Sequence, residues 1–260
     1  MTASAARAAR PLLGAAVFLA VLGLWQAEAR RHPSYLFPAA SAVLERASHV
    51  WPTSEFLSDV VSSLERLGAG YVIGAGVGVA LGLVLGSSLG LRRLLEPLTE
   101  LLRATPAISI VPAAIVLFGL GEAMHVAVIA FAVCFPVLVN TVEGVRAVSP
   151  EVRDTAAMLQ VGPVERAVRI HLPAALPQIF AGLRIALSAA VILLVISEFV
   201  GAGDGVGHYI TFQQSQFNTE EVYGGILFLG LLGYVLNRLF LVVERRVLAW
   251  HYGAVGESGR

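Results

Sequence analysis

Long apolar runs recur along this chain, and they decide what it can fold into. Runs over about 11–27, 67–89, 97–120, 124–142, 176–200 and 222–243 each approach the roughly 20 residues that a helix needs to cross a bilayer. Hydrocarbon offers no partner to a backbone N–H or C=O, so runs of this length are expected as helices with their hydrogen bonds closed internally. Hydrophobic residues make up 57% and charged residues 14%, and the mean hydropathy is +0.76, too apolar for an ordinary soluble domain. The expectation is an all-α integral membrane protein with about six transmembrane helices.

The remaining composition removes several classes of function. Acidic and basic residues balance at a formal charge of zero, which gives no bulk case for a nucleic-acid partner. Every basic residue is arginine; there is no lysine. Cys134 is the sole cysteine, so an intrachain disulfide and a multi-cysteine zinc cluster are both excluded. Neither a His-Glu-x-x-His nor a Gly-x-Ser-x-Gly motif is present, so a membrane-embedded enzyme has no support. No catalytic residue, metal site or cofactor is therefore expected.

In chain order, a short basic start precedes the first run, and Ala27-Glu28-Ala29 after it also resembles a signal-peptide cleavage site. A retained first span is the expectation, because later helices would gain a packing partner from it. Residues 28–65 are read as an extramembrane connection with amphipathic helical pieces near 40–50 and 56–67. In the second span Gly70, Gly74, Gly78, Gly82 and Gly86 recur every four residues, which predicts a smooth helix-packing face of the kind that drives association in lipid. Residues 89–96, with Arg92 and Arg93, are read as a short connection. Pro106 and Pro112 interrupt the third span, predicting a kinked or partly unwound helix near a path rather than against lipid. Asn140 in the fourth span and Glu198 near the end of the fifth are further candidates to line that path. Residues 201–207 (GAGDGVG) read as a flexible loop, not a phosphate-binding one, since no Lys-Ser/Thr follows.

Among these greasy runs, Ser149 to Pro173 is polar: SPEVRDTAAMLQVGPVERAVRIHLP. Ser149 is placed to cap a helix, and Pro150 suits its first turn, where a missing N–H costs nothing. Val152, Ala156 and Leu159 fall on one face at helical spacing. Gly162-Pro163 should end that helix and begin a second, in which Glu165 can pair with Arg169. A helical hairpin between two spans is suited to touching something outside the membrane. With a cytoplasmic N-terminus and six spans, fourteen arginines fall inside and four (Arg30, Arg31, Arg46 and Arg66) outside, which also places the hairpin in the cytoplasm.

The same stretch resembles the cytoplasmic signature loop of permease subunits of bacterial ATP-binding-cassette importers, the binding-protein-dependent transport inner-membrane component family. That signature runs Glu-Ala-Ala, three residues, Gly, nine residues, Ile, one residue, Leu-Pro. Counting back from Ile170-His171-Leu172-Pro173, the triplet falls on Asp154-Thr155-Ala156 and the glycine on Gln160, with Gly162 expected to supply the bend instead. The runs LLEPLTELLRATPAISIVPAAIVLFGLGE, LPAALPQIFAGLRIAL and LGLLGYVLNRLFLVVERRVLAW extend the likeness over 56–250, toward the branch serving nitrate, sulfonate and taurine.

The resemblance implies a type I ABC-importer permease fold over 56–246. Before it come an N-terminal span and external connection (1–55), and after it a cytoplasmic tail (247–260). It further implies a bacterial inner-membrane subunit that pairs with a second copy of itself, with two ATPase subunits and with an extracytoplasmic substrate-binding protein. ATP hydrolysis would lie on the ATPase subunits. Asp154, Thr155, Ala156, Gln160 and Gly162 would then couple to the ATPase, with Leu172 and Pro173 fixing the re-entry. The competing reading, a secondary transporter working alone, would call for a deep coupling carboxylate and inverted halves.

Overall fold

The structure, a computed structural model, describes residues 3–250, so most of the expected tail, Arg260 included, lies outside the described residues. The side chains of Arg7, Arg10 and Arg103 lie outside them too. The elements are α1 (Ala3–Arg31), α2 (Ala40–Val50), α3 (Ser54–Ser87), α4 (Leu89–Ala104), a 3-10 turn (Ala107–Ile110), α5 (Val111–Phe118), α6 (Glu122–Arg146), α7 (Pro150–Met158), α8 (Pro163–Arg166), a π-helical turn (Ala167–His171), α9 (Leu172–Gly201), α10 (Val206–Ser215) and α11 (Thr219–Val247). No strand occurs among the described residues, only an isolated bridge between Ser34 and Phe37. The architecture is all-α.

Among the described residues, four helices are long and apolar enough to cross a membrane: Ser54–Ser87, Glu122–Arg146, Pro163–Gly201 and Thr219–Val247. The third expected span is a broken pair, Leu89–Leu102 and Ala107–Phe118, bent by 88°. Proline explains the break: Pro106 has no N–H to continue the ladder, and its ring disfavours a helical Thr105. Counted as one span, the pair brings the total to five. The first expected span falls inside α1. Its described side chains over 19–24 are largely exposed, and α1 meets its neighbours at its C-terminal end, where the Trp25 indole N–H donates to the Pro38 carbonyl at 3.0 Å. Among the described side chains, the expected packing is found at that end.

The core is α3, α6 and α9. Leu67, Ile129, Val133, Val137, Ala186, Ala190 and Leu194 pack together there. Along α3 the five glycines face α6 in parallel register. A Cβ added at Gly70 would lie 2.6 Å from the Ile129 Cβ, and one at Gly78 would lie 2.7 Å from the Cys134 carbonyl oxygen. Gly76, off the stripe, has nothing within 4 Å. On the other side α6 and α9 run antiparallel, and Gly144 receives Ala175 while Gly182 receives Asn140. Where apolar burial adds little in lipid, such close approach supplies the dispersion contacts that hold helices together.

Two connections differ from the sequence expectation. The piece near 56–67 is the opening of α3 itself, since nothing in Ser54–Leu67 breaks the helix. Residues 89–96 are helical as well: Ser88 caps α4, its Oγ accepting from the Leu91 N–H at 3.3 Å.

Candidate functional site

The polar stretch forms a hairpin at the end of the bundle where α6 stops and α9 begins. Pro150 occupies the first turn of α7, but Ser149 makes no side-chain cap bond; its backbone alone opens the helix. α7 ends in a Schellman motif. The Val161 N–H reaches back to the Ala156 carbonyl and the Gln160 N–H to the Ala157 carbonyl, both at 3.0 Å. That geometry needs a left-handed residue, and it is Gln160, at φ 52°, rather than Gly162, whose φ is −62°. The bend therefore stays at the position where the resembled signature carries glycine, and Gly162 is ordinary extended backbone. Arg166 Nη2 donates to the Val161 carbonyl at 3.2 Å, and Arg169 pairs with Glu165 at 2.8 Å. The hairpin is braced from within.

Its surface is unusual for a polar segment. Met158, Leu159 and Val164 are 84%, 73% and 75% exposed, and Val168 and Val152 are about half exposed. Asp154 and Thr155 are exposed beside them. Ala156 differs: it is buried, so Val152, Ala156 and Leu159 do not share one environment. The continuous helical stretch Pro163–Gly201 has 39 residues. At about 1.5 Å per residue it is far longer than a hydrocarbon core of about 30 Å, so part of it projects past the bilayer. Large apolar groups with a charged rim of Glu151, Arg153, Glu165 and Arg169 make the kind of patch that marks a docking site.

A cavity of about 420 Å³ lies where the broken third span meets α6 and α9. Pro106 and Asn140 both line it, with Phe131, Phe135 and Pro136. Asn140 donates to the Pro136 carbonyl of its own helix at 2.8 Å. Pro136 in turn has no N–H for the carbonyl of Ala132, which also borders the cavity. Of the four path candidates these two come together. Pro112 is exposed on α5, and Glu198 sits at the opposite end of the bundle.

Glu198 is neither in water nor on the cavity: it is 1% exposed. Its carboxylate accepts from Ser63 Oγ at 2.7 Å, the Gly207 N–H at 2.8 Å and Arg66 Nη1 at 3.1 Å. Arg66, itself buried, also donates through Nε to Glu122 at 2.9 Å and through Nη1 to the Asp204 carbonyl at 2.9 Å, and Nη2 reaches the Asp204 carboxylate. One guanidinium thus joins α3, α6, α9 and the 201–207 loop. Burial works against ionisation of Asp204, yet hydrogen bonds from Arg66 and Ser62 outweigh it and hold this carboxyl below its ordinary value. The loop read as flexible is pinned: the Gly205 N–H donates to Asp59 at 2.8 Å, and Gly205 has φ 106°, where a Cβ would lie 2.5 Å from Glu198 Oε1. Arg66 was not singled out by the sequence. Ser62 and Arg66 continue the four-residue glycine repeat backwards, and that continuation is the signal that could have found it.

No group of three or more metal-ligating side chains occurs among the described residues. Residues 74–249 match the family described as binding-protein-dependent transport system inner membrane component. The chain is 31% identical over 198 residues to a protein of Bacillus subtilis (strain 168) named putative aliphatic sulfonates transport permease protein SsuC, covering 76% of this chain and 72% of that one. It is also 31% identical over 189 residues to the bicarbonate transport system permease protein CmpB of Synechococcus elongatus, covering 72% and 68%. Among solved structures, a bacterial ABC transporter involved in import of the acidic polysaccharide alginate has the same fold. There the TM-score is 0.64 at 14% identity, over 88% of this chain and 90% of that one.

Proposed function

The chain belongs to the inner-membrane-component family of binding-protein-dependent transport systems, the permeases of ATP-binding-cassette importers, and from that premise we propose how its parts divide the work. It is a multi-pass inner-membrane permease subunit, and a secondary transporter working alone is not favoured. In our reading the hairpin 149–173 seats in a cleft of a separate ATPase subunit. The observation that carries this reading is the trio Met158, Leu159 and Val164, large apolar side chains left in the open on an internally braced hairpin. Solvating such side chains is unfavourable, and burying each against a partner recovers on the order of 1.5–3 kcal/mol. The contact lies on Met158, Leu159 and Val164, with Asp154 and Thr155 beside them; Ala156 supports it from inside.

The remaining assignments follow the same division. The hairpin end is cytoplasmic, the side the arginine distribution favours, and the Arg66 end faces outward, where a substrate-binding protein delivers the solute. Two copies of the chain pair over two ATPase subunits, and ATP is hydrolysed on those subunits. The cavity bordered by Pro106 and Asn140 opens onto the solute path. The solute is a small anion, a class suggested by the sulfonate and bicarbonate named for the relatives.

The native chain has one cysteine, which makes the test direct. With Cys134→Ser as background and Thr155→Cys in the hairpin, cysteines are placed along the cleft of the ATPase that copurifies with the permease. Crosslinks whose yield changes with ATP are expected. A complete absence of crosslinks at every cleft position sinks the reading.

A further inference from the structure

If the hairpin takes up motion from an ATPase, that motion must leave it again. Chain continuity gives one exit. The second limb runs through the π-helical turn Ala167–His171 into α9, with the Leu172 N–H reaching the Ala167 carbonyl. Pro173 accounts for this turn: it has no N–H for the preceding ladder, and its ring would strike a carbonyl one turn back, so the helix widens there. A widened turn with a proline behind it bends more readily than regular helix. Taken alone, this exit acts directly on α9 and reaches the hairpin end of α3 only through the packing of the bundle.

His171 supplies a second exit. It is 5% exposed, inside the joint between hairpin and bundle, and its Nδ1 lies 2.9 Å from Ser87 Oγ. Ser87 belongs to the last turn of α3, and its hydroxyl proton is committed to the Leu83 carbonyl at 2.6 Å. The serine oxygen can therefore only accept, which assigns the proton of the imidazole to Nδ1. Nε2 is buried with no hydrogen-bond partner among the described residues. A buried ring held on one nitrogen only, at the joint of two elements, is costly unless that single bond matters.

We infer that His171 is a positioning residue that straps the hairpin to the end of α3, so that one movement of the hairpin drives α9 through the π-turn and α3 through the His171–Ser87 bond. Through its glycine stripe α3 then carries α6 with it. The inference rests on the docking reading above and adds to it the route by which docking reaches the helices.

The test uses the permease with its copurified ATPase in nanodiscs, in the Cys134→Ser background, with a bimane reporter at Val168→Cys on the hairpin, outside the proposed contact, or at Val84→Cys on α3. Both positions are exposed. Trapping with ATP and vanadate should shift both reporters in the parent. With His171→Ala the Val168 shift should persist and the Val84 shift should fall severalfold, since the bond that carries it is gone. His171→Asn, whose amide can still donate to Ser87, should restore it. Ser87→Ala, a milder change, should reproduce the loss and keeps the test decisive where His171→Ala fails to fold. An undiminished Val84 response in Ser87→Ala overturns the strap alone. A silent Val168 reporter in the parent overturns the docking reading, and the strap's role with it.

Discussion

At one end of the bundle a single guanidinium, Arg66, holds three carboxylates from α6, α9 and the 201–207 loop, and Ser63 and the Gly207 amide complete the set. At the other end, Met158, Leu159 and Val164 stand in the open and contribute nothing to the chain's own core. The first region is polar where the surroundings are apolar, and its charges are paired within the chain. The second is apolar on a polar hairpin, and nothing among the described residues covers it. In the proposed reading, the contrast separates a part built to stay fixed from a part that another molecule completes. Substitutions at the fixed end should therefore appear as stability, and substitutions at the open end as lost partnership.

The largest expected effect breaks the fixed end. Arg66→Ala leaves Glu198 buried without its cation, a change that typically costs about 3–5 kcal/mol. A steep loss of thermal stability in detergent is expected, and Met158→Ala should leave the same measurement unmoved. Equal melting of the two variants would erase the distinction between the ends. Next come the glycines that hold α3 to α6. Gly78→Leu drives a side chain into the Cys134 carbonyl and Val137, whereas Gly76→Leu enters open space. Overpacking of this kind costs about 1–3 kcal/mol or more, so only Gly78→Leu should reduce yield and stability.

Two smaller effects sharpen the comparison. Asp204 has a folded pKa below its unfolded one, so its contribution is complete above the ordinary carboxylate range and is lost as pH falls through the lowered value. Because Asp204 is half exposed, the effect is screened and amounts to about 1 kcal/mol or less. Asp204→Asn should flatten that part of the acid limb of a stability-against-pH curve and leave the neutral region's slope unchanged. Smallest of all, Gln160→Gly removes the strain of a left-handed non-glycine residue, worth about 1–2 kcal/mol, but adds freedom to the unfolded chain. A net gain of about 0.5 kcal/mol is expected, read as slower proteolysis of the hairpin. Faster cutting would mean the turn does not depend on residue 160.

Much of this was legible because lipid limits the alternatives. The apolar runs fell in helices, Pro106 marked the break in the third span, and the Glu165–Arg169 pair formed as its spacing requires. What escaped were properties that depend on which groups meet. The loop at 201–207 looked loose because glycines loosen an isolated chain; in the fold, Gly205 and Gly207 offer their amides to Asp59 and Glu198 from other elements. Glu198 looked like a path residue because its partner, Arg66, lies 132 residues away. Ala156 shares a helical face with Val152 by spacing, yet it is buried while Val152 is half exposed. Gly162 attracted the bend by its identity, although the hydrogen bonds at Gln160 place it two residues earlier.

The central claim is that the open apolar patch is completed by an ATPase. Its most direct test is affinity purification of the permease carrying both Met158→Asp and Leu159→Asp from cells that express its ATPase. The chain should insert at the parent level and melt at the parent temperature, because neither side chain is buried, while the ATPase no longer travels with it. Recovery of the ATPase in the parent's proportion, from a chain bearing two carboxylates on that patch, would contradict the account.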